Sequence, residues 1–383
     1  MSVPSLVGVL VTMALLNVSP VLPLLRTEMR LSNFQASLAL AATLLPHAAI
    51  QIPGGNLIDA WGSRKSLLLA LGVAAAGTLA AGVAPGFELL LAARALMGIG
   101  TGLAIIAGLV LSRELSGPGK GILSQGIFGA MLNVGTLLVL VSAPIGISFG
   151  WRFTFIAEGI LLAALLVFCL LLLPPSVRTE NTAPASWRGV LGNRGIYALT
   201  AAHSATYSLF VTLAAWAPTF LQHQYSMPLA SAGILSAWLT VSAIVFRGIS
   251  GLVPPNRRGV VILGSATASV ALTFLLPLAP SPEVAISILF LLGAATSFPF
   301  AAIFSSAGVL SGPAAVGRGS GFVSAGSNVG ALLFPPVIGY SVDVTGAFLP
   351  GYWVVGAVGV LLVALMMSQL GGAAARSRLA EAG

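Results

Sequence analysis

Apolar runs of about twenty residues follow one another along almost the whole chain, and nothing else in the sequence restricts its fold so strongly. They lie at 6–25, 36–58, 66–85, 88–111, 121–147 and 153–174, and again at 196–221, 229–253, 259–280, 283–309, 318–341 and 349–370. Each is long enough for a helix to cross a hydrocarbon layer about 30 Å thick. None shows the period-two alternation of a membrane barrel strand, and a spanning segment must satisfy its own backbone groups. Charged residues make up only 7% of the chain. A soluble domain carries about 25%, so water cannot be the medium around this surface. The sequence predicts an all-α membrane protein with twelve transmembrane helices. The first run has no basic segment before it and so does not read as a cleavable signal.

The net charge of +8 does not form a nucleic-acid-binding patch, because the basic residues are scattered through short loops. They read instead as topological signals. With the N-terminus in the cytoplasm, the inner loops and tail hold Arg64, Lys65, Arg113, Lys120, Arg178, Arg188, Arg194, Arg257, Arg258, Arg318, Arg376 and Arg378. The outer ends hold only Arg26, Arg30, Arg94 and Arg152. That bias predicts a multi-pass inner (plasma) membrane protein with both termini cytoplasmic. The single cysteine, Cys169, lies in an apolar run and reads as a lipid-facing or packing residue.

The two halves of the chain repeat. Ser116-Gly117-Pro118 recurs as Ser311-Gly312-Pro313, and Asn133-Val134-Gly135 recurs as Asn328-Val329-Gly330 at the same spacing. Gly98, Thr101, Gly126 and Ala130 are matched in that register by Gly293, Thr296, Gly321 and Ala325. The repeat predicts an N-terminal six-helix bundle over 1–174, a cytoplasmic linker over 175–195 and a C-terminal bundle with a short tail over 196–383. Parallel repeats of this kind carry substrate between the halves and rock one against the other.

After the second run the chain reads Gly55-Asn-Leu57-Ile-Asp59-Ala60-Trp61-Gly62-Ser63-Arg64-Lys65. This resembles the signature loop of the major facilitator superfamily. The fourth run opens Arg94-Ala-Leu-Met-Gly98-Ile-Gly100-Thr-Gly102, which resembles that superfamily's second signature, and Gly150-Trp151-Arg152 precedes the sixth. The resemblance covers the whole chain. It implies the two-bundle fold and a latch of Gly55, Asp59, Gly62 and Arg64, with Asp59 pairing with basic groups or a helix N-terminus of the neighbouring bundle. Arg94 and Gly98 join that conformational set, the arginine tied to a neighbouring helix. Ala60 and Ser63 stand where the family usually has arginines, so the charge network is thinner. Within the superfamily the chain is most similar to anion-transporting branches: anion:cation symporters, cyanate or nitrate types, and oxalate or monocarboxylate types.

Polar groups inside spans are costly and mark function. Arg247 in the eighth run is the sharpest, because a guanidinium in a low-dielectric cavity grips a carboxylate with two parallel hydrogen bonds. The competing reading is an arginine that snorkels to the cytoplasmic face or pairs with a loop acid. Aligning Gly55 with Gly251 sets Gln51 opposite Arg247. Nitrate and nitrite transporters of the family carry arginines at both places; Gln51-Ile52-Pro53 keeps the Ile-Pro and lacks the arginine, and a single arginine here more resembles monocarboxylate and oxalate-type carriers. His47, one turn before Gln51, reads as a proton site or as a neutral hydrogen-bonding residue. His203 with Tyr207, and the duplicated Asn133 and Asn328, complete the candidate lining; Asn17 is a lesser one. No Asp or Glu falls near the middle of a run, with Glu28, Glu114, Glu158 and Asp343 all placed near ends.

The expectation is therefore a secondary or facilitative transporter of a small solute, an organic or inorganic anion such as a monocarboxylate, working by alternating access in a lipid bilayer. Protons are a candidate coupling ion, and a monomer is expected. The rival is a proton-coupled multidrug or metabolite exporter of the same fold, disfavoured by the lack of a mid-span carboxylate. Phosphate-binding loops, zinc spacings and nucleophile triads are absent, so no enzyme, cofactor, metal, catalytic residue or nucleic-acid partner is expected.

Overall fold

The computed structural model describes residues 3–31, 33–117, 119–174 and 187–370. Pro118, Arg178, Glu180, Asn181, Arg376 and Arg378 fall outside them. The described residues form helices α1 Val3–Leu16, α2 Val18–Glu28, α3 Asn33–Trp61, α4 Ser63–Gly82, α5 Phe87–Glu114, α6 Gly121–Ser148 and α7 Trp151–Leu172. There follow α8 Trp187–Leu191, α9 Arg194–Tyr225, α10 Leu229–Ile249, α11 Arg258–Leu275, α12 Pro282–Ser297, α13 Phe300–Ser311, α14 Val316–Thr345 and α15 Leu349–Leu370. With α1–α2 and α12–α13 each forming one crossing, and the short α8 standing in the linker, these are the twelve spans. Nine segments among the described residues are long and apolar enough to cross a membrane.

Two spans that read as continuous are broken, for identifiable reasons. Asn17 separates α1 from α2. Pro20 has no N–H to offer the carbonyl of Leu16, and Asn17 uses its side chain elsewhere rather than as a cap. Pro299 separates α12 from α13 in the same way. The eighth span ends early as well: α10 stops at Ile249 and runs on as a 3₁₀ turn, Ser250–Leu252, ahead of Pro254. Gly62 makes the one-residue turn from α3 to α4 at φ 86° and ψ 155°, a backbone region almost closed to other residues.

The chain forms two compact units. One comprises Met1–Gly121, Met131–Ala185 and Ala314–Gly321; the other comprises Ile122–Ala130, Ser186–Pro313 and Phe322–Gly383. The division does not fall at the linker alone, because a short piece of α6 belongs with the second unit and one of α14 with the first. Glycine makes both attachments. In the second unit a Cβ on Gly126 would strike the carbonyl of Arg247, and one on Gly251 would strike the backbone of Ile122 and Leu123. In the first unit Gly321 lies against the carbonyl of Gln51, and Gly55 against the backbone of Gly317 and Arg318. The repeat register thus reappears as equivalent contacts, and Gln51 and Arg247 occupy matching places.

The same holds deeper in each unit. Gly98 of α5 meets the carbonyl of Thr43 on α3, and its repeat partner Gly293 of α12 meets that of Leu239 on α10. Along α5 the glycines alternate: Gly98 and Gly102 face α3, whereas Gly100 faces Ala74 of α4. Backbones approach this closely in lipid through small residues, where dispersion replaces the hydrophobic drive. Gly102→Val would collide with the carbonyl of His47, so it is expected to cost about 1–3 kcal/mol by overpacking. Gly264→Ala, whose Cβ would meet nothing, serves as the control. The check is the melting temperature and monodispersity of the two purified variants: only Gly102→Val should fall.

Candidate functional site

Arg247 sits in the last turn of α10, 2% exposed, within the second unit. Its guanidinium carbon lies 4.4 Å from the ring centroid of Phe300. Nη1 donates to the carbonyl of Gly129 at 3.4 Å, long for such a bond, and Nε has no partner. Neither of the two ion pairs among the described residues includes it. The cation rests on an aromatic face rather than on a carboxylate. Around it, Phe300 and Phe304 have centroids 4.9 Å apart, His203 meets Phe304 edge-on at 5.0 Å, and Tyr207 stacks on His203 at 5.4 Å. Sequence reasoning named Arg247, His203 and Tyr207. It missed Phe300 and Phe304, which look like ordinary core residues until the break at Pro299 is seen.

In the first unit, His47 and Gln51 are buried on α3. Thr101 gives its hydroxyl proton to the carbonyl of Gly98 at 3.1 Å, so its oxygen accepts from His47 Nδ1 at 3.0 Å. That leaves His47 Nε2 to accept from Gln51 Nε2 at 3.2 Å. Both ring nitrogens of a neutral imidazole are thereby occupied. The duplicated asparagines differ. Asn328 donates to the carbonyl of Ser324, one turn back on its own helix, at 2.9 Å. Asn133 is buried in the first unit and its Nδ2 has no partner.

Asp59 lies near the end of α3 and caps the start of α14. Oδ1 accepts from the N–H of Gly317 at 2.7 Å, and Oδ2 accepts from the N–H and Nη1 of Arg318, both at 3.0 Å. Arg318 Nη2 also donates to Asn56. The carboxylate therefore meets a helix N-terminus and a fixed cation together. Arg318 read only as a topological charge in the sequence. Arg64 is placed differently: Nε and Nη2 donate to the carbonyls of Leu173 and Leu170, closing the C-terminus of α7.

Arg94 is fully buried on α5 rather than at a loop end. Nε donates to the carbonyl of Ala39 on α3 at 2.7 Å, and Nη1 to Asn17 Oδ1 at 2.9 Å. Asn17 Nδ2 donates in turn to Glu158 at 2.7 Å. Glu158, read as lying near a span end, is seven residues inside α7 and 7% exposed. At about 1.5 Å per residue that is two helical turns from the terminus.

Twelve apolar spans in a duplicated arrangement, with basic and amide groups held inside them, define a polytopic membrane carrier. The chain belongs to the Major Facilitator Superfamily, whose family model matches residues 5–308. It is 25% identical over 374 residues to a probable sulfoacetate transporter of Cupriavidus necator, covering 87% of this chain and 84% of that one. It is 26% identical over 345 residues to a probable nitrate/nitrite transporter of Mycobacterium tuberculosis, covering 82% of each. The crystal structure of the human organic anion transporter TETRAN is similar in fold, with a TM-score of 0.74 at 16% identity, covering 95% of this chain and 97% of that one.

Proposed function

We propose that this transporter moves a small anion across the plasma membrane by alternating access, with Arg247 as the fixed positive charge that receives it. The carrying observation is the buried guanidinium itself, with an unpartnered Nε, one long hydrogen bond and no ion pair. An uncompensated buried charge is costly, several kcal/mol in order of magnitude. A bound anion removes that cost and gains charge-assisted hydrogen bonds. Phe300, Phe304, His203 and Tyr207 supply aromatic surroundings that keep the medium apolar around the charge. The relatives named for sulfoacetate and for nitrate or nitrite support an anionic solute. The excess of basic residues in the inner loops supports cytoplasmic termini.

The test is a thermal-shift series on purified protein with nitrate, acetate, oxalate and methanesulfonate, each against its neutral analogue. Ligand at about a hundred times its Kd stabilises by about 2.7 kcal/mol. At least one anion should raise the melting temperature in the wild type and not in Arg247→Met. A series in which no anion shifts the wild type, or shifts both proteins equally, contradicts the assignment.

A further inference from the structure

We propose that Glu158 is the proton-carrying residue of this transporter, with Asn17 and Arg94 as positioning residues that hold its carboxyl in the interior of the first unit. Three observations meet there. Glu158 lies two turns inside a spanning helix, where an ionisable group is a functional mark. Its Oε2 accepts from Asn17 at 2.7 Å, and Asn17 accepts from Arg94 at 2.9 Å, so an amide stands between the acid and the base. Arg94 Nη2, in a residue with no exposed surface, has no partner at all.

This arrangement differs from a structural ion pair. A directly paired carboxylate is held ionised by the contact. Here the arginine's charge reaches Glu158 only across Asn17, so the acid feels a stabilising cation without being locked to it. Asn17 donates to Oε2 whether the group is carboxylate or carboxyl, which leaves Oε1 to take and release the proton. Glu158 retains slight exposure, 7%, where Asn17 and Arg94 have none. The break in the first span follows from the same residue: Asn17 stands between α1 and α2 with its side chain turned to both partners.

Among the described side chains, the other charged groups of the surrounding helices are engaged elsewhere, exposed or at the far ends. Among the described residues α1, α2 and α4 pack on α7, and α5 reaches Phe155 of α7 through Arg94; the other charged groups of α5 are Glu88, exposed at its start, and Arg113 and Glu114 at its far end, where Glu114 accepts from Ser63. α1 has no ionisable side chain. Glu28 of α2 is engaged by Trp151 and Arg152 at the start of α7. Arg64 of α4 is on the carbonyls of Leu170 and Leu173 at the far end, and Lys65 is exposed. Cys169 lies three turns further along α7. The step is a proton binding at Oε1 from one compartment and leaving to the other, with no bond made or broken elsewhere. It stands independently of the anion assignment, since a neutral solute is driven by the same proton.

The experiment uses full-length protein in two arms. In the first, infrared difference spectra of ligand-free protein are recorded between alkaline and mildly acidic buffer. Wild type should gain the carbonyl stretch of a buried protonated carboxyl, and Glu158→Gln should lack it. In the second, proteoliposomes carry an acid-outside gradient of about one pH unit, which lets a one-proton carrier accumulate solute about tenfold. The probe is radiolabelled nitrate, with methanesulfonate in parallel, both anions of strong acids that do not cross lipid as the free acid. Glu158→Gln should equilibrate and exchange the probe but lose the tenfold accumulation and the accompanying acidification of the lumen. Glu158→Asp should restore part of both. A carboxyl band that persists in Glu158→Gln overturns the proposal, as does accumulation in that variant equal to the wild type. If neither probe enters wild-type vesicles, the anion reading fails while the infrared arm still tests the Glu158 carboxyl. A merely structural Glu158 would lower the melting temperature and leave the tenfold accumulation in place.

Discussion

Replacing Arg247 by methionine is expected to abolish anion uptake and at the same time to raise the melting temperature of the ligand-free protein. The two effects have opposite signs because they come from two states of one charge. Without ligand, Arg247 is buried, has an unpartnered Nε and makes one 3.4 Å hydrogen bond. Exchanging even a paired set of buried ions for apolar side chains of similar volume is often neutral or stabilising by about 1–4 kcal/mol, and an ion without a counter-charge has less attraction to lose. Methionine keeps the length of the side chain and its contact with Phe300. With ligand present, the guanidinium supplies hydrogen bonds worth about 1.5–3 kcal/mol each to a charged acceptor. Losing two reduces binding by about a hundredfold or more. Arg247→Lys should fall between, since it keeps the charge and loses the planar fork. Uptake of the stabilising anion in proteoliposomes and the melting temperature in its absence are measured on the same preparations. A variant that loses stability while keeping uptake would identify Arg247 as a structural residue and end the anion-site reading.

The elements of this fold that were legible in the sequence are those fixed by local chemistry or by repetition. The apolar runs mark the helices because lipid requires length and lack of charge, both of which are one-dimensional properties. The glycine register was legible for the same reason. Gly98 and Gly293, or Gly126 and Gly321, can be matched by counting, and their equivalent backbone contacts follow from that match. What stayed hidden depends on which face of a helix a residue takes and on what arrives from far along the chain. Glu158 looked peripheral by its distance from a run's end, yet its hydrogen-bond partner is 141 residues away. Asn17 looked like a weak candidate because its partners lie on two other helices. Arg318 was counted as one of many loop cations, although its separation of 259 residues from Asp59 is what makes it specific. Arg64 went the other way. Its motif suggested a latch, and the structure places it on free carbonyls at the end of α7.

Replacing Asp59 by alanine is expected to be the second most damaging change, and its effect should be partly reversed by a second substitution at Arg318. The carboxylate accepts from the N–H groups of Gly317 and Arg318 and from the Arg318 guanidinium. Both side chains of that ion pair are nearly buried, at 10% and 5% exposure, so solvent screening does little to weaken it. Removing one partner of a buried pair costs about 3–5 kcal/mol, chiefly through the charge left behind. Loss of a helix cap accounts for about 1–2 kcal/mol by itself, within that total rather than beyond it. Arg318→Ala removes the stranded charge and leaves Asp59 two backbone donors. The double variant therefore lacks the worst feature of Asp59→Ala, and the cycle should show a coupling of about 1–3 kcal/mol. Asp59→Asn should be intermediate, because its oxygen still accepts from one N–H but carries no charge. The measurement is a double-mutant cycle read twice, on melting temperature and on uptake of the anion that stabilises the wild type. Coupling in uptake that exceeds coupling in stability marks the contact as a latch whose strength sets the balance between transport states. Strict additivity of the two single substitutions would show that Asp59 and Arg318 act separately, and the contact would then be no latch.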